Sequence, residues 1–382
     1  MCAFRGARKE CAVNMKKKLF ALFLIIFSFL SLASCRNSIT NIITKESEEI
    51  EVTKISSSIT QVYEKVSKGC VGLMVSDGTK AAIGSGVIYK YDSDTEAYYV
   101  VTNAHVVEDM TSVKIYFGNS KYNSAEVVGY DSKNDIGVVR FTLDIINTEF
   151  KKTIYINDFM NYTENDLVVV GQSVLAIGCP LSLDNFNSLT TGVISSVSET
   201  EMYTDALLNP GNSGGGLFNL EGRLIGINNE KTVWTTVTNE GSTETIPVEG
   251  RSRSIPLRIV KNCVSNIESA GGNIVRPLLG ITVTTVNKVL NPESIYNVYL
   301  PVSDDQVFFI VTDFNQNGES FGKKYGIMLY DVILEVNDKK VVSAATISLE
   351  LSLITKNDSI KLKVYRIENG IGTTKEIIVS FK

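Results

Sequence analysis

The sequence predicts a mainly β protein, and three observations support this fold class. Between Ile55 and Val264, runs rich in Val, Ile and Tyr alternate with Gly, Asn and Asp, a pattern typical of strands in an antiparallel barrel. This region is long enough for one large all-β unit of two barrels. Two more strand-like runs, Ser359–Arg366 and Glu376–Phe381, close the chain. The predicted barrel strands are Val71–Val75, Gly86–Tyr91, Tyr98–Thr102, Val113–Phe117, Ser124–Tyr130, Val138–Phe141, Leu167–Val170, Val174–Ile177, Thr190–Ser195 and Arg223–Ile227.

Residues 1–34 predict a secretory signal peptide. Basic residues precede an apolar run, Leu19–Ala33, that is shorter than the roughly 20 residues of a membrane-spanning helix. Lysines bunched directly after Met15 indicate Met15, rather than Met1, as the start of translation. Small residues before Cys35 resemble a bacterial lipobox, which implies cleavage before Cys35 and lipidation of its thiol. The alternative is an ordinary secretory signal with an incidental cysteine.

Residues 35–54 are predicted to form a lipid-anchored polar tether, because they are largely polar and carry a cluster of glutamates. An oligomerisation arm is the alternative for this segment. Directly after it, Ile59, Val62 and Val66 have helical spacing, so we expect a short helix to open the folded unit.

The balance of charge excludes two classes of partner. The chain has 37 Lys and Arg against 42 Asp and Glu, and residues 1–34 hold an excess of basic residues, so the remaining chain is more acidic still. A nucleic-acid partner and an electrostatic hold on anionic lipid are therefore not expected. Membrane attachment would depend on a two-chain lipid anchor at Cys35, since a single acyl chain binds only marginally.

No metal and no cofactor are predicted. The chain has one histidine and no pair of cysteines at zinc-binding spacing. Cys70, Cys179 and Cys263 are expected to be small buried apolar residues. A disulfide between Cys70 and Cys263 is an alternative that no feature of the sequence favours.

A segment with very little side-chain bulk, Asn209–Leu217, surrounds Ser213. A nucleophilic hydroxyl needs a tight turn that exposes its oxygen, and backbone N–H groups aimed at the developing oxyanion. Glycines supply both, because they adopt backbone angles that other residues avoid. We therefore interpret Ser213 as a candidate nucleophile. Taken alone, the segment also fits an ordinary turn between strands, or the nucleophile elbow of α/β-hydrolases.

The single histidine, His105, decides between these alternatives. A lone histidine is more often a surface or core residue than a catalytic one, but no other general base is available to a serine mechanism here. His105 precedes Ser213, which excludes the Ser, acid, His order of α/β-hydrolases and fits the chymotrypsin-type order His, Asp, Ser. Between them, Asp135 ends a polar turn before an apolar strand and is the candidate for orienting His105.

Three segments together resemble the catalytic blocks of the HtrA (DegP/DegS-like) serine proteases. They are Thr102–Val107 around His105, Asn134–Val139 around Asp135, and Thr204–Gly215 around Ser213. The resemblance implies a chymotrypsin-like double β-barrel over residues 55–268. It also implies that Ser213 attacks the scissile carbonyl, that His105 transfers the proton, that Asp135 fixes the imidazole tautomer, and that the N–H groups of Gly211 and Ser213 form the oxyanion hole.

The substrate side departs from the family pattern. Val174–Leu181 resembles a family loop, with Cys179 where an asparagine is usual, and the following loop, Ser182–Ser188, would shape the S1 pocket. Leu207, at the expected base of that pocket, favours a small or medium apolar P1 residue. Arg253, followed by Ser254, stands where relatives have an apolar pocket wall. Arg253 either points to solvent or admits an acidic P1 residue.

The last part of the chain, residues 269–382, resembles a PDZ domain. Arg276–Ile281 and Tyr325–Asn337 match two landmarks of that domain, with Tyr330 where a glycine is usual. The resemblance implies that Leu278, Leu279, Gly280 and Ile281 form the loop that takes the terminal carboxylate of a bound peptide. The alternative is a plain β-sandwich without a ligand.

The resemblance as a whole implies an extracytoplasmic serine endopeptidase, tethered to the membrane at the cell surface or at the periplasmic face. It would cleave unfolded or damaged proteins in envelope quality control through a Ser-His-Asp acyl-enzyme mechanism. C-terminal peptides at the PDZ domain, and identical subunits in a homo-oligomer, a trimer in this family, are the other implied partners. The alternative is a catalytically weak protease-fold chaperone or peptide-binding module.

Overall fold

The computed structural model describes residues 58–382 except 144–149, 163–167, 232–233, 240–241, 248–249, 302–305 and 316–319. Between 230 and 249 it describes backbone only. The predicted signal peptide, the lipidated Cys35 and the polar tether lie outside the described residues. By its internal contacts the chain divides after Gln61, and the barrels and the C-terminal sheet described below all lie within Val62–Lys382.

A helix, α1, covers residues 58–66 and confirms the short opening helix. Its last residue, Val66, is fully buried. A single turn of 3₁₀ helix, Ser67–Gly69, then leads into the first strand.

The first barrel is closed by six strands in the order β1-β2-β3-β6-β5-β4. A short helix, α2 (Ala104–Val107), lies between β3 and β4. The interior is filled by β-branched and aliphatic residues such as Leu73, Val100, Ile115 and Val139, none of which is exposed. The strands are β1 (Cys70–Ser76), β2 (Ala81–Asp92), β3 (Ala97–Thr102), β4 (Ser112–Tyr116), β5 (Tyr122–Asp131) and β6 (Ile136–Thr142).

The second barrel is closed in the order β10-β11-β14-β9-β8-β7. A separate hairpin, β12 (Trp234–Asn239) with β13 (Ser242–Pro247), leaves the barrel between β11 and β14. The barrel strands are β7 (Ser173–Gly178), β8 (Ser188–Val197), β9 (Met202–Thr204), β10 (Gly216–Asn219), β11 (Leu224–Lys231) and β14 (Ser252–Pro256).

One predicted strand, Leu167–Val170, is wrong. Residues 168–170 form an irregular segment and a turn, and Leu167 lies outside the described residues. Val169 and Val170 are exposed, and the turn continues through Gly171 at a φ of +89°. Strand-like composition did not suffice because the segment has no neighbouring strand to pair with. Conversely, β9 and β10 are too short, and β10 too rich in small and polar residues, for their composition to reveal them.

A long helix, α3 (Leu257–Ala270), follows the second barrel. Its apolar residues recur at helical spacing, and the helix packs against β5 and β6 of the first barrel and against β11 and β14 of the second. It ends at Gly271, whose left-handed conformation lets its N–H donate to Ile267 O. In the described ranges, no helix has the length and apolarity needed to cross a bilayer.

The C-terminal sheet has the strand order β15-β16-β17-β19-β20, with β18 paired to β17. Two helices accompany it, α4 (Phe321–Lys324) and α5 (Ala344–Leu353). The strands are β15 (Ile281–Val286), β16 (Phe308–Phe314), β17 (Val332–Val336), β18 (Lys339–Lys340), β19 (Ser359–Glu368) and β20 (Ile371–Ser380). The protein is thus mainly β, a double barrel of chymotrypsin type followed by a sheet consistent with a PDZ domain.

Tyr330 replaces the glycine that the PDZ pattern leads one to expect, and the structure accounts for this departure. Tyr330 has a φ of +70°, the left-handed region where a side chain is usually costly. Its ring stacks on Tyr299 with centroids 4.4 Å apart. Tyr299 belongs to a 3₁₀ segment, Ile295–Tyr299, that covers one face of the sheet near Phe308 and Ile310. Ring stacking over this cover offsets part of the backbone strain.

Candidate active site

The candidate catalytic residues come from both barrels. The first barrel contributes His105 on α2 and Asp135 in the turn between β5 and β6. The second contributes Ser213, in the loop between β9 and β10. A hydrogen bond of 2.8 Å from Ser85 N–H, in β2, to Ser213 O ties the two barrels together at this point.

The imidazole of His105 is held by the carboxylate of Asp135. His105 Nδ1 lies 2.8 Å from Asp135 Oδ2 and 3.0 Å from Oδ1, and His105 N–H donates to Oδ1 at 2.9 Å. Because an ionised carboxylate only accepts hydrogen bonds, this contact selects the tautomer with its proton on Nδ1. Nε2 is then left as the basic nitrogen. The His105 side chain is half exposed, so a substrate can reach it.

The backbone around Asp135 is strained and is held by its neighbours. Asp135 has a φ of +54°, and its carbonyl accepts from Asn103 Nδ2 at 2.9 Å. Asn103 is fully buried and directly precedes α2. The same buried side chain therefore links the helix that carries His105 to the turn that carries Asp135.

A second residue, Asn229, contacts both Asp135 and Ser213. Its side-chain Nδ2 donates to Asp135 Oδ2, and its main-chain carbonyl accepts from Ser213 Oγ at 2.6 Å. Arg253 contacts the other end of the Asn229 amide, because its Nη2 donates to Asn229 Oδ1 at 2.8 Å. Its Nη1 pairs with Glu201 at 3.1 Å.

The loop around Ser213 is shaped by two glycines with positive φ, Gly211 at +99° and Gly214 at +86°. A Cβ atom at Gly211 would collide with the carbonyl oxygen of Cys179. Ser85 Oγ donates to Gly211 O at 2.7 Å and accepts from Cys179 N–H at 2.9 Å, which braces the loop from the first barrel. The N–H groups of Gly211 and Ser213 take part in none of the hydrogen bonds among the described residues.

Cys179 is not a second nucleophile in this site. It is fully buried, and burial raises the pKa of its thiol. Since only the thiolate is strongly nucleophilic, Cys179 acts as a packing residue under the loop. Cys70, Cys179 and Cys263 are all buried and all free thiols, so the Cys70–Cys263 disulfide is absent.

The three residues predicted to line the S1 pocket occupy different environments. Leu207 is half exposed, and its carbonyl accepts from Thr190 Oγ1 at 2.9 Å. Ser254 is fully buried, with its hydroxyl 3.3 Å from Asn228 Oδ1. The guanidinium of Arg253 is engaged with Glu201 and Asn229, as described above. Their part in P1 selection stays a prediction.

The predicted carboxylate loop, Leu278–Ile281, leads into strand β15, whose first residue is Ile281. Gly280 has a φ of +67°; Leu279 is buried in the sheet core, whereas Leu278 is exposed. The carbonyls of Leu279 and Gly280 accept from α4 and its flanks, the first from Gly322 N–H at 2.8 Å. No hydrogen bond among the described residues uses the N–H groups of Leu278, Leu279 or Gly280. Among the described strands, β15 pairs only with β16, so the other edge of β15 is unpaired.

Sequence reasoning missed Ser85 and Asn229. Ser85 lies between two glycines within an apolar strand, and a polar residue in that setting is a usable signal. Asn229 had no such signal, because it stands in a polar stretch where one more asparagine attracts no notice.

Comparison with known proteins gives consistent similarities. The trypsin-like peptidase domain family matches residues 84–227, a range that includes His105, Asp135 and Ser213. The Serine protease Do-like HtrA of Lactococcus lactis subsp. lactis (strain IL1403) is 32% identical over 315 residues, which cover 78% of this chain and 70% of that protein. The protein of the same name from Bacillus subtilis (strain 168) is 29% identical over 316 residues, covering 79% of this chain and 64% of the relative.

Solved structures show a similar fold. The HtrA-type protease AlgW with tripeptide superposes with a TM-score of 0.61 at 22% identity and covers 84% of this chain and 95% of its own. The serine endoprotease from Yersinia pestis gives a TM-score of 0.57 at 24% identity, over 84% of this chain and 97% of its own.

Proposed function

Because this chain belongs to the HtrA family of serine proteases and is a serine endopeptidase, we propose that Ser213, His105 and Asp135 form its catalytic triad. The observation that carries this proposal is the contact of His105 Nδ1 with Asp135 Oδ2 at 2.8 Å, with Asn229 bonded to both Asp135 and Ser213. A carboxylate that faces Nδ1 leaves Nε2 to act as the general base.

The residues have the following roles. Ser213 Oγ attacks the scissile carbonyl, and His105 takes its proton and later returns it to the leaving amine. Asp135 holds the tautomer and stabilises the imidazolium that forms. The N–H groups of Gly211 and Ser213 donate to the oxyanion, a contribution of roughly 2.7–4 kcal/mol per donor. Water then hydrolyses the acyl-enzyme by the same steps.

Labelling with a fluorophosphonate probe tests the triad. The soluble form from Arg36 onward should be labelled, and Ser213→Ala should not be. Ser198→Ala, which removes an exposed hydroxyl between β8 and β9, is the control and should be labelled like the wild type. If the wild type is not labelled, even with C-terminal peptides added, the protein is instead a catalytically weak chaperone or peptide-binding module.

The proposed substrates are unfolded or damaged polypeptides, as in envelope quality control.

The C-terminal sheet is proposed to be a peptide-binding PDZ domain. The open edge of β15 supports this, since an extended peptide can add to it as a further strand. Fluorescence anisotropy should detect binding of labelled apolar peptides that have a free C-terminal carboxylate, and no binding of their amidated forms. Leu278→Glu should weaken binding, whereas Leu290→Glu, at an exposed turn after β15, should not. Equal binding of amidated peptides would contradict the assignment.

We further propose that the protein is exported and anchored through a lipid on Cys35, and that it forms a homo-oligomer, a trimer in this family. In cells that make the whole chain, the protein should partition into detergent, and Cys35→Ser should move it to the aqueous phase. Ser38→Ala is the matched control. Unchanged partition of Cys35→Ser would exclude the lipid anchor.

Light scattering of the soluble form tests the oligomer. It should give the mass of three subunits, and a monomer mass would exclude the trimer.

A further inference from the structure

The ladder between β11 and β14 contains an irregularity next to the candidate triad. Asn228 pairs with Ser254 and Glu230 pairs with Arg253, so that Asn229 stands between them without a partner of its own. A bulge of this kind redirects a side chain out of the regular alternation. Here it directs the Asn229 side chain at Asp135 while its carbonyl meets Ser213 Oγ.

The Asn229 side chain can do this in only one orientation. Its Nδ2 can only donate, and it faces Asp135, whose ionised carboxylate can only accept. Its Oδ1 can only accept, and it faces Arg253 Nη2, which can only donate. If the amide turned over, an acceptor would face the carboxylate and a donor would face the guanidinium. Asp135 and Arg253 therefore select the same orientation of the amide, and Arg253 holds the end that faces away from the carboxylate.

Arg253 is itself held in place. Its Nη1 pairs with Glu201 at 3.1 Å, and the guanidinium borders a cavity of about 200 Å³ shared with Asp135 and Asn229. Lys133 and the α5 residue Ser348 line the same cavity. The chain of contacts thus runs from Glu201 through Arg253 and Asn229 to Asp135, and from there to His105.

We propose that Arg253 is a positioning residue for the triad, acting through the Asn229 side chain on Asp135, and that it does not select the P1 residue. This inference rests on the proposed triad. It assigns a role to the residue that most clearly departs from the family pattern. By orienting Asn229, Arg253 supplies the carboxylate with a third donor and limits its rotation, which keeps the imidazole of His105 aligned.

The test compares Arg253→Met with Arg258→Met. Arg258→Met is the control, because Arg258 is exposed and also pairs with a glutamate, its Nη2 lying 3.4 Å from Glu199 Oε2. Fluorophosphonate labelling of Arg253→Met should slow by about tenfold, as expected when a reacting group is misaligned, while Arg258→Met keeps the wild-type rate. With labelled casein, kcat should fall and KM should stay constant. Arg253→Lys retains a donor and should recover part of the rate.

A double-mutant cycle tests the route of the effect. Asn229→Ala should slow labelling as much as Arg253→Met does, and the double variant should be no slower than Asn229→Ala alone. Effects that multiply would overturn the proposal. So would a change in KM or in the cleaved sequence with kcat unchanged, because that outcome makes Arg253 a determinant of P1 selection.

The single histidine provides a readout that does not depend on activity. In nitrogen-15 NMR of the whole soluble chain, the Nδ1–H of His105 should give one sharp downfield proton signal. It should broaden or disappear in Arg253→Met through faster exchange with water, and persist in Arg258→Met, with thermal unfolding unchanged in both. An unaltered signal in Arg253→Met would overturn the proposal. If the wild-type protein is not labelled by the fluorophosphonate, the proposed triad is refuted. The Nδ1–H signal of His105 would still show whether Arg253 holds the imidazole in place.

Discussion

Two aspartates four residues apart, Asp131 at the end of β5 and Asp135 in the turn that follows it, have opposite environments. Asp131 is fully buried and pairs with Arg276, whose side chain is also fully buried, at 2.7 Å. Asp135 is partly exposed and faces the half-exposed His105. The first carboxylate joins parts of the fold, whereas the second is available for chemistry.

The partners of Asp131 show what it joins. Arg276, which precedes the C-terminal sheet, also donates to Ile354 O and to Asn262 on α3, each at 3.0 Å. Asn134 donates to Asp131 and to Ser352 O at the end of α5, both at 2.9 Å. The turn that carries Asp135 is therefore held on one side by the C-terminal domain. Burial and partners, rather than residue type, therefore distinguish the structural carboxylate of Asp131 from the accessible carboxylate of Asp135.

The largest effect is expected for Asp135→Asn. An amide cannot hold the Nδ1–H tautomer as a carboxylate does, so kcat on labelled casein should fall by about 10⁴-fold. The melting temperature should change little, because Asp135 is partly exposed and the amide has the same shape. Asp158→Asn, at a surface turn, is the control. Substantial activity in Asp135→Asn would mean that another group orients His105.

Arg276→Met should act on stability instead. It leaves the buried Asp131 charge without its partner, which costs about 3–5 kcal/mol in the free energy of unfolding. Arg140→Met removes a surface pair with Glu126 and should cost at most about 1 kcal/mol. Urea unfolding measures both. If the two variants unfold alike, the distinction between the buried and exposed carboxylates fails.

Asn134→Ala tests the connection between the turn and α5. Loss of its hydrogen bonds to Asp131 and Ser352 O should cost about 1–3 kcal/mol of unfolding free energy, because the buried acceptors lose a donor. Asn161→Ala removes an exposed bond to Asp158 with the same three-residue spacing and should cost less. Equal losses in urea unfolding would show that the bridge to α5 contributes nothing specific.

The smallest effect concerns Cys263, which reports on the surroundings of Asp131. Its Sγ lies 3.3 Å from Asp131 Oδ2, and burial, followed by the Asp131 charge, raises the pKa of the thiol. A raised pKa means that less of the thiol is present as thiolate at a given pH. At pH 8, iodoacetamide should therefore alkylate Cys263 far more slowly in the folded protein than in the urea-unfolded protein. Mass spectrometry would locate the adduct. Rapid alkylation of the native protein would show that this region opens readily.

Much of the fold and the identity of the candidate triad could be predicted from the sequence. The strands of the first barrel follow local composition, and the order of His105, Asp135 and Ser213 excluded the α/β-hydrolase alternative. The wrong strand at Leu167–Val170 and the missed short strands β9 and β10 show that composition alone does not decide where a strand forms. A strand exists only where a neighbour pairs with it, and that neighbour can lie far away in the chain.

The fold class, the family resemblance and the three candidate catalytic residues can all be read from the sequence, because each depends on residue type and order along the chain. The contacts of those residues became known only from the folded structure. It placed Asn229 and Arg253 beside Asp135, stacked Tyr330 on Tyr299, and buried Asp131 against Arg276. Contacts between residues distant in sequence depend on how the barrels, α3 and the C-terminal sheet come together, and local composition carries little information about that packing.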